Sequence, residues 1–71
     1  MDERLQHIRY DDVLDFAYGK GYAQGTCVGW QDDPRLGRCV IVWNHTLREI
    51  CVPLHRVVCR YRPGAATVNF E

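Results

Sequence analysis

Apolar and polar positions alternate with a period of two along most of this chain, which predicts strands. In Asp12 to Tyr18, Leu14, Phe16 and Tyr18 share one face, and Val13, Asp15 and Ala17 share the other. A helix ended by Gly19 is the alternative for this stretch. Gly19-Lys20-Gly21 is a turn signal. Gly25 to Trp30 follows as a strand, with Gly25, Cys27 and Gly29 on one face and Thr26, Val28 and Trp30 on the other. Glycine at alternate positions points to a bent strand or a close backbone approach. Gln31 to Gly37 is a polar loop, in which Asp33-Pro34 starts a turn. Arg38 to Trp43, rich in Val, Ile and Trp, is the clearest strand. Asn44-His45-Thr46 is the predicted tight turn, and Leu47 to Val52 the returning strand. Pro53 stops that strand and opens a single 3₁₀ turn through Arg56; Val57 to Arg62 is the last strand, ended by Pro63-Gly64. Asp2 to Arg9 has the spacing of a short helix, with Asp2 as N-cap and Leu5 and Ile8 on one side. The tail from 65 to 71 carries strand composition at Thr67-Val68-Asn69-Phe70.

Five short strands with tight loops predict a mainly all-β fold, a five-stranded antiparallel small barrel. The expected organisation is one domain over 1–71: an arm or short helix over 1–11, the barrel over 12–62 and a tail over 63–71. With 71 residues there is room for one small core. The longest strictly apolar run is Cys39 to Trp43, far short of a membrane span. The first residues carry no apolar signal region, so a cytoplasmic location is expected.

The order of strand, glycine turn, bent strand, acidic loop, hairpin, 3₁₀ turn and final strand resembles the SH3-like and Tudor-like small barrels over Val13 to Tyr61. Val13-Leu14-Asp15, Gly19-Lys20-Gly21 and Val28-Gly29-Trp30 are similar to segments of the type II plasmid-encoded dihydrofolate reductases. Members of that family are SH3-like barrels that work as tetramers around a shared pore. They line the pore with a Val-Gln-Ile-Tyr stretch just before a proline. Here the stretch before Pro53 reads Glu49-Ile50-Cys51-Val52, so the pore Gln and Tyr are missing. The resemblance implies the fold and a shared-pore oligomeric enzyme as the alternative function. The residues that would carry the activity are not there.

Nine basic and nine acidic residues give zero net charge, with 46% hydrophobic and 25% charged positions. The neutrality hides a split. Through residue 33, seven acids meet three bases, a net −4; from residue 34, six bases meet two acids, a net +4. Either the halves form opposed acidic and basic faces that pair between subunits, or they interleave and cancel. A homo-oligomer is expected in any case, because a core this small gains from partner burial.

Cys27, Cys39, Cys51 and Cys59 form no C-x-x-C pair, so the usual zinc spacing is missing and small core hydrophobes are expected. A three-residue turn at 44–46 would put Cys39 opposite Cys51, near bridging distance. His7, His45 and His55 lie in separate segments and read as exposed turn residues. The chain has no serine, which excludes a Ser triad. Asp11-Asp12 and Asp32-Asp33 are adjacent pairs whose members point to opposite faces, so neither is a dyad. No catalytic residue, metal or cofactor is predicted. Aromatics near strand ends and loops carry the functional signal, since small barrels hold a peptide, a methylated cation or a base between them. The predicted partner-binding residues are Tyr18, Tyr22, Trp30 and Trp43, with Arg38 and Arg48 for anionic contacts. The predicted function is a non-catalytic interaction module for a protein or nucleic-acid partner, without membrane contact.

Overall fold

The structure, a computed structural model, describes residues 3–71. It is mainly β. Helix α1 (Arg4–His7) leads into β1 (Val13–Tyr18), β2 (Gly21–Asp33), β3 (Gly37–Asn44) and β4 (Arg48–Pro53). A 3₁₀ turn, Leu54–Arg56, joins β4 to β5 (Val57–Tyr61), and β6 (Val68–Asn69) ends the fold. The expected N-cap Asp2 lies outside the described residues. No helix among the described residues is long and apolar enough to cross a membrane.

The strands form one antiparallel sheet in the order β4-β3-β2-β1-β5-β6. This corrects the expected five-stranded closed barrel: the described residues form six strands in a sheet that is not closed. The reason lies in the tail. Cys59 pairs with Asn69 and Arg60 with Val68, and the Phe70 N–H donates to the Val58 carbonyl at 2.8 Å. The free edge of β5 is therefore taken by β6, and β4 stands at the opposite edge.

β2 runs farther than its apolar segment because it serves two partners. Gly21 to Thr26 pairs with β1, and Thr26 to Asp33 pairs with β3. The crossover requires a glycine. A Cβ on Gly25 would meet Val42 Cγ1 and lie 2.7 Å from the Trp43 carbonyl oxygen. Gly29 meets no such crowding. Between Cys27 and Gly29 the register shifts by one residue, a bulge that bends the strand. The bulge also breaks the expected alternation. Trp30 opposes Val40, and Cys27 opposes Val42, so all four share the core face.

The core holds Ile8, Leu14, Phe16, Cys27, Val40, Val42, Val52, Leu54 and Val57. Leu5 of α1, Ile50 and Phe70 pack against it. One turn is too short to be stable alone, and contacts from outside hold this helix. Arg4 Nε donates to the Val57 carbonyl at 2.9 Å, and its guanidinium lies 5.4 Å from the Phe70 ring centre.

The β3–β4 hairpin differs from expectation by one residue. Asn44 pairs with Arg48, so the loop is 45–47. The Asn44 side-chain oxygen accepts from the N–H groups of Thr46 and Leu47, and Arg48 takes a left-handed φ of 62°. Consequently Ile41, not Cys39, faces Cys51, and Cys39 faces Pro53. All four cysteines are free thiols.

Candidate functional site

The outer face of the sheet carries a continuous cross-strand row. Glu49, Trp43, Thr26, Val13 and Tyr61 are successive register partners across five strands. At the Tyr61 end lies a groove of about 440 Å³ lined by Val13, Gln24, Tyr61, Arg62, Pro63 and Thr67. Period-two alternation positions its floor, since Val13 and Gln24 point away from the core that Leu14 fills.

Polar contacts fix the walls. The Tyr61 hydroxyl donates to Asp15 Oδ2 at 2.8 Å, and Gln24 Nε2 donates to Asp15 Oδ1 at 2.8 Å. The hydrogen bond to Asp15, then that to Cys59, pushes the Tyr61 phenol above its ordinary value, so it stays protonated. Arg62 is fixed from the other side. Its Nε donates to Asp12 Oδ1 and its Nη2 to Asp12 Oδ2, both at 2.7 Å, and Nη2 also reaches the His7 carbonyl at 3.2 Å. Such a fork sets orientation as well as charge.

Asp12 is 2% exposed and is the anchor beneath the groove. Burial alone would raise its carboxyl. The hydrogen bonds from Arg62 and from the Arg9 N–H, with the charges of Arg62 and Arg60, outweigh burial and hold it below its ordinary 3.8. The Asp12 carbonyl also accepts from the Cys27 N–H at 2.8 Å, while Asp11, at φ 75°, donates to the Cys27 carbonyl. The segment between α1 and β1 is thus tied to β2. Arg60 is buried, and its Nη2 donates to the Ala66 carbonyl at 2.7 Å, which holds the loop bearing Pro63 and Thr67.

The six predicted partner-binding residues do not form one site. Tyr22 lies on the outer face, two residues beyond Gln24, and is 68% exposed. Trp43 lies on the same face in the row that reaches Tyr61, half-buried, with its ring centre 4.9 Å from that of His45. Tyr18 is on the opposite face, edge-on to Phe16, and Trp30, on that face by register, is 39% exposed and outside the core. Arg38 pairs with Asp32 at the β2–β3 hairpin, while Arg48 sits at the other end of β3. Two of the six, Tyr22 and Trp43, therefore share the face that bears the groove, and none of the six lines it. Sequence reading passed over Tyr61, Arg62, Val13 and Gln24. The available signal was the alternation of Cys59 and Tyr61 into the outer row, ahead of a rigid Arg62-Pro63-Gly64 exit.

Among the described residues no three His, Cys, Asp or Glu side chains gather as a metal site. His7, His45 and His55 are exposed and lie apart. Comparison with known proteins gives no match among family models, curated proteins or solved structures.

Proposed function

We propose that this chain is a non-catalytic interaction module that binds a protein partner, an extended peptide segment laid into the outer-face groove. The observation that carries this reading is the groove itself, with an exposed tyrosine whose hydroxyl is already held. Aromatic side chains fixed at a concave surface give contact area at small entropic cost, which is why Tyr and Trp dominate binding hot spots. Val13 and Pro63 supply an apolar floor and wall, and Tyr22 and Trp43 lie on the same face of the sheet. The SH3-like and Tudor-like resemblance supports the same kind of use.

Charge favours a peptide over a nucleic acid. Arg62 and Arg38 are engaged by carboxylates, Arg60 is buried, and Asp15 borders the groove. A phosphate backbone would meet few open cations there. The test is selection of peptides from a displayed library on the folded chain, followed by fluorescence anisotropy. Tyr61→Ala is expected to weaken the selected peptides roughly tenfold or more, and Tyr22→Ala less. Peptide binding indifferent to Tyr61, or binding of a single-stranded oligonucleotide that falls steeply with salt, would overturn the reading.

A further inference from the structure

Arg60 of β5 stands opposite Leu14 of β1 on one side and Val68 of β6 on the other. It is 5% exposed, yet among the described residues no carboxylate forms an ion pair with it. A guanidinium taken out of water is costly unless charge and hydrogen bonds compensate it. The one hydrogen bond that Arg60 makes through its side chain runs from Nη2 to the Ala66 carbonyl at 2.7 Å, a neutral acceptor. Its Nε is buried and has no hydrogen-bond partner. Asp12 senses the charge of Arg60, but both Asp12 oxygens are held by Arg62, and one also by the Arg9 N–H. One carboxylate thus serves two guanidiniums, which leaves an excess of positive charge. Arg62 supplies the internal comparison. Its Nε and Nη2 each donate to one oxygen of Asp12 at 2.7 Å, so that edge of the fork is filled by a carboxylate. Arg60 presents the same pair of donors, with one on a carbonyl oxygen and the other unpartnered. The carbonyl belongs to a segment that can give way. Residues 63 to 67 are all exposed, Gly64 turns at φ 76°, and the Ala65 N–H closes that turn onto the Arg62 carbonyl at 3.1 Å. Pro63 and Thr67 of this segment also wall the groove.

We propose that Arg60 is the recognition residue of a carboxylate-binding site beneath the segment 63–67. The carboxylate displaces the Ala66 carbonyl and takes both donors, Nε and Nη2, as Asp12 does on Arg62. Two charge-assisted hydrogen bonds replace one bond to a neutral acceptor, the orphaned N–H is satisfied, and the excess positive charge is neutralised. The flat fork selects a planar group with two acceptor oxygens over a spherical halide. Binding costs the lifting of an exposed turn, whose carbonyl then returns to water. The group can come from a free small carboxylate or from a peptide lying in the groove, since the guanidinium meets the same chemistry in both. The site rests on Arg60 and its surroundings, and it stands whether or not a peptide fills the groove.

The test is a titration of the folded, isotope-labelled chain with sodium acetate, read by NMR at the Arg60 Nε–H and the Thr67 amide, beside sodium chloride at matched ionic strength. Acetate is expected to move both resonances along one saturable curve, because the Thr67 N–H shares its peptide unit with the Ala66 carbonyl. Chloride is expected to leave them in place. A peptide with a free C-terminal carboxylate, set against its C-terminal amide, separates the sources. If the acid acts at lower concentration than acetate and the amide does not act, the group is borne by a peptide; if acid and acetate act alike, it is a free carboxylate. Arg60→Lys keeps the charge and lacks the paired donors, so the saturable shift at Thr67 should vanish. If Arg60→Lys does not fold, the Arg60 Nε–H of the unaltered chain carries the test. An Nε–H that acetate leaves unmoved, shifts that chloride reproduces, or a Thr67 shift that persists in folded Arg60→Lys would each overturn the proposal.

Discussion

At the scale of single residues, the fold depends on side chains whose roles follow from what they touch. Asp12 is buried and carries an ion pair to an arginine that is itself 25% exposed. Removing one member of a buried pair leaves the other without compensation. Asp12→Asn is therefore expected to cost about 3 kcal/mol near pH 7 by denaturant melts. The pH dependence has a definite sign. The folded-state carboxyl is held below its ordinary 3.8, so its contribution is fully present above that value and is lost as pH falls through the folded one. The gap between the unaltered chain and Asp12→Asn should thus narrow in acid; a gap equally wide there would contradict the ion-pair account. Gly25 gives the steric counterpart. An added methyl meets the Trp43 carbonyl oxygen at 2.7 Å, and backbone cannot step aside as a side-chain end can. Gly25→Ala is expected to destabilise by about 2 kcal/mol in a thermal melt. Gly21→Ala, which meets nothing within 4 Å, should stay within about 0.5 kcal/mol of the parent. Equal melting of the two variants would remove the close-approach explanation for Gly25.

At the scale of elements, the strands were legible and their edges were not. Leu14-Asp15-Phe16 and Val40-Ile41-Val42 alternate because one face meets the core, and that alternation is visible without any structure. Gln31, Asp32 and Asp33 read as loop because they are polar, yet they pair with Cys39, Arg38 and Gly37 and extend the β2–β3 hairpin. The loop sits one residue later than expected, which moves the pairing by two residues, because Arg48, not a glycine, takes the left-handed position after it. Closure failed because two residues, Val68 and Asn69, are too short to announce a strand that occupies an edge. Tyr61 is not legible in the sequence as a site residue, because it lies within a strand and belongs to a row that only the register assembles. The C-terminal strand also yields a test. Phe70 is half-buried, its ring centre 6.0 Å from that of His7, and its N–H closes the ladder to Val58. Phe70→Ala is expected to cost about 1–2 kcal/mol, below the figure for a fully buried ring. The amide at position 70 should lose its exchange protection. Unchanged protection would mean that the Arg60–Ala66 contact holds the tail without the ring.

At the scale of the whole molecule, the opposed charges of the two halves are resolved within one chain. Two ion pairs join an acid of the first half to a base of the second: Asp12 with Arg62, and Asp32 with Arg38. Asp15, also from the first half, is bonded to Tyr61 of the second. The β2–β3 hairpin alone carries Asp32, Asp33, Arg35 and Arg38, both signs within one turn. The antiparallel topology causes this mixing, since β1 lies between β2 and β5 and the chain's beginning is packed against its end. Sequence order separates these charges and the sheet brings them together. This bears on how copies of the chain associate. Pairing of charged faces would strengthen at low salt, because screening weakens as the Debye length grows from about 8 Å at physiological ionic strength to about 30 Å at 0.01 M. Acids of one half that pair with bases of the other inside the chain are withdrawn from such an attraction. Molar mass by light scattering is therefore expected to be the same at low and high salt. Contacts made by apolar surface or by the β4 edge would show a mass that follows protein concentration. A mass that rises at low salt and falls at high salt would show that faces of opposite sign persist after folding, and would reinstate the split as the basis of assembly.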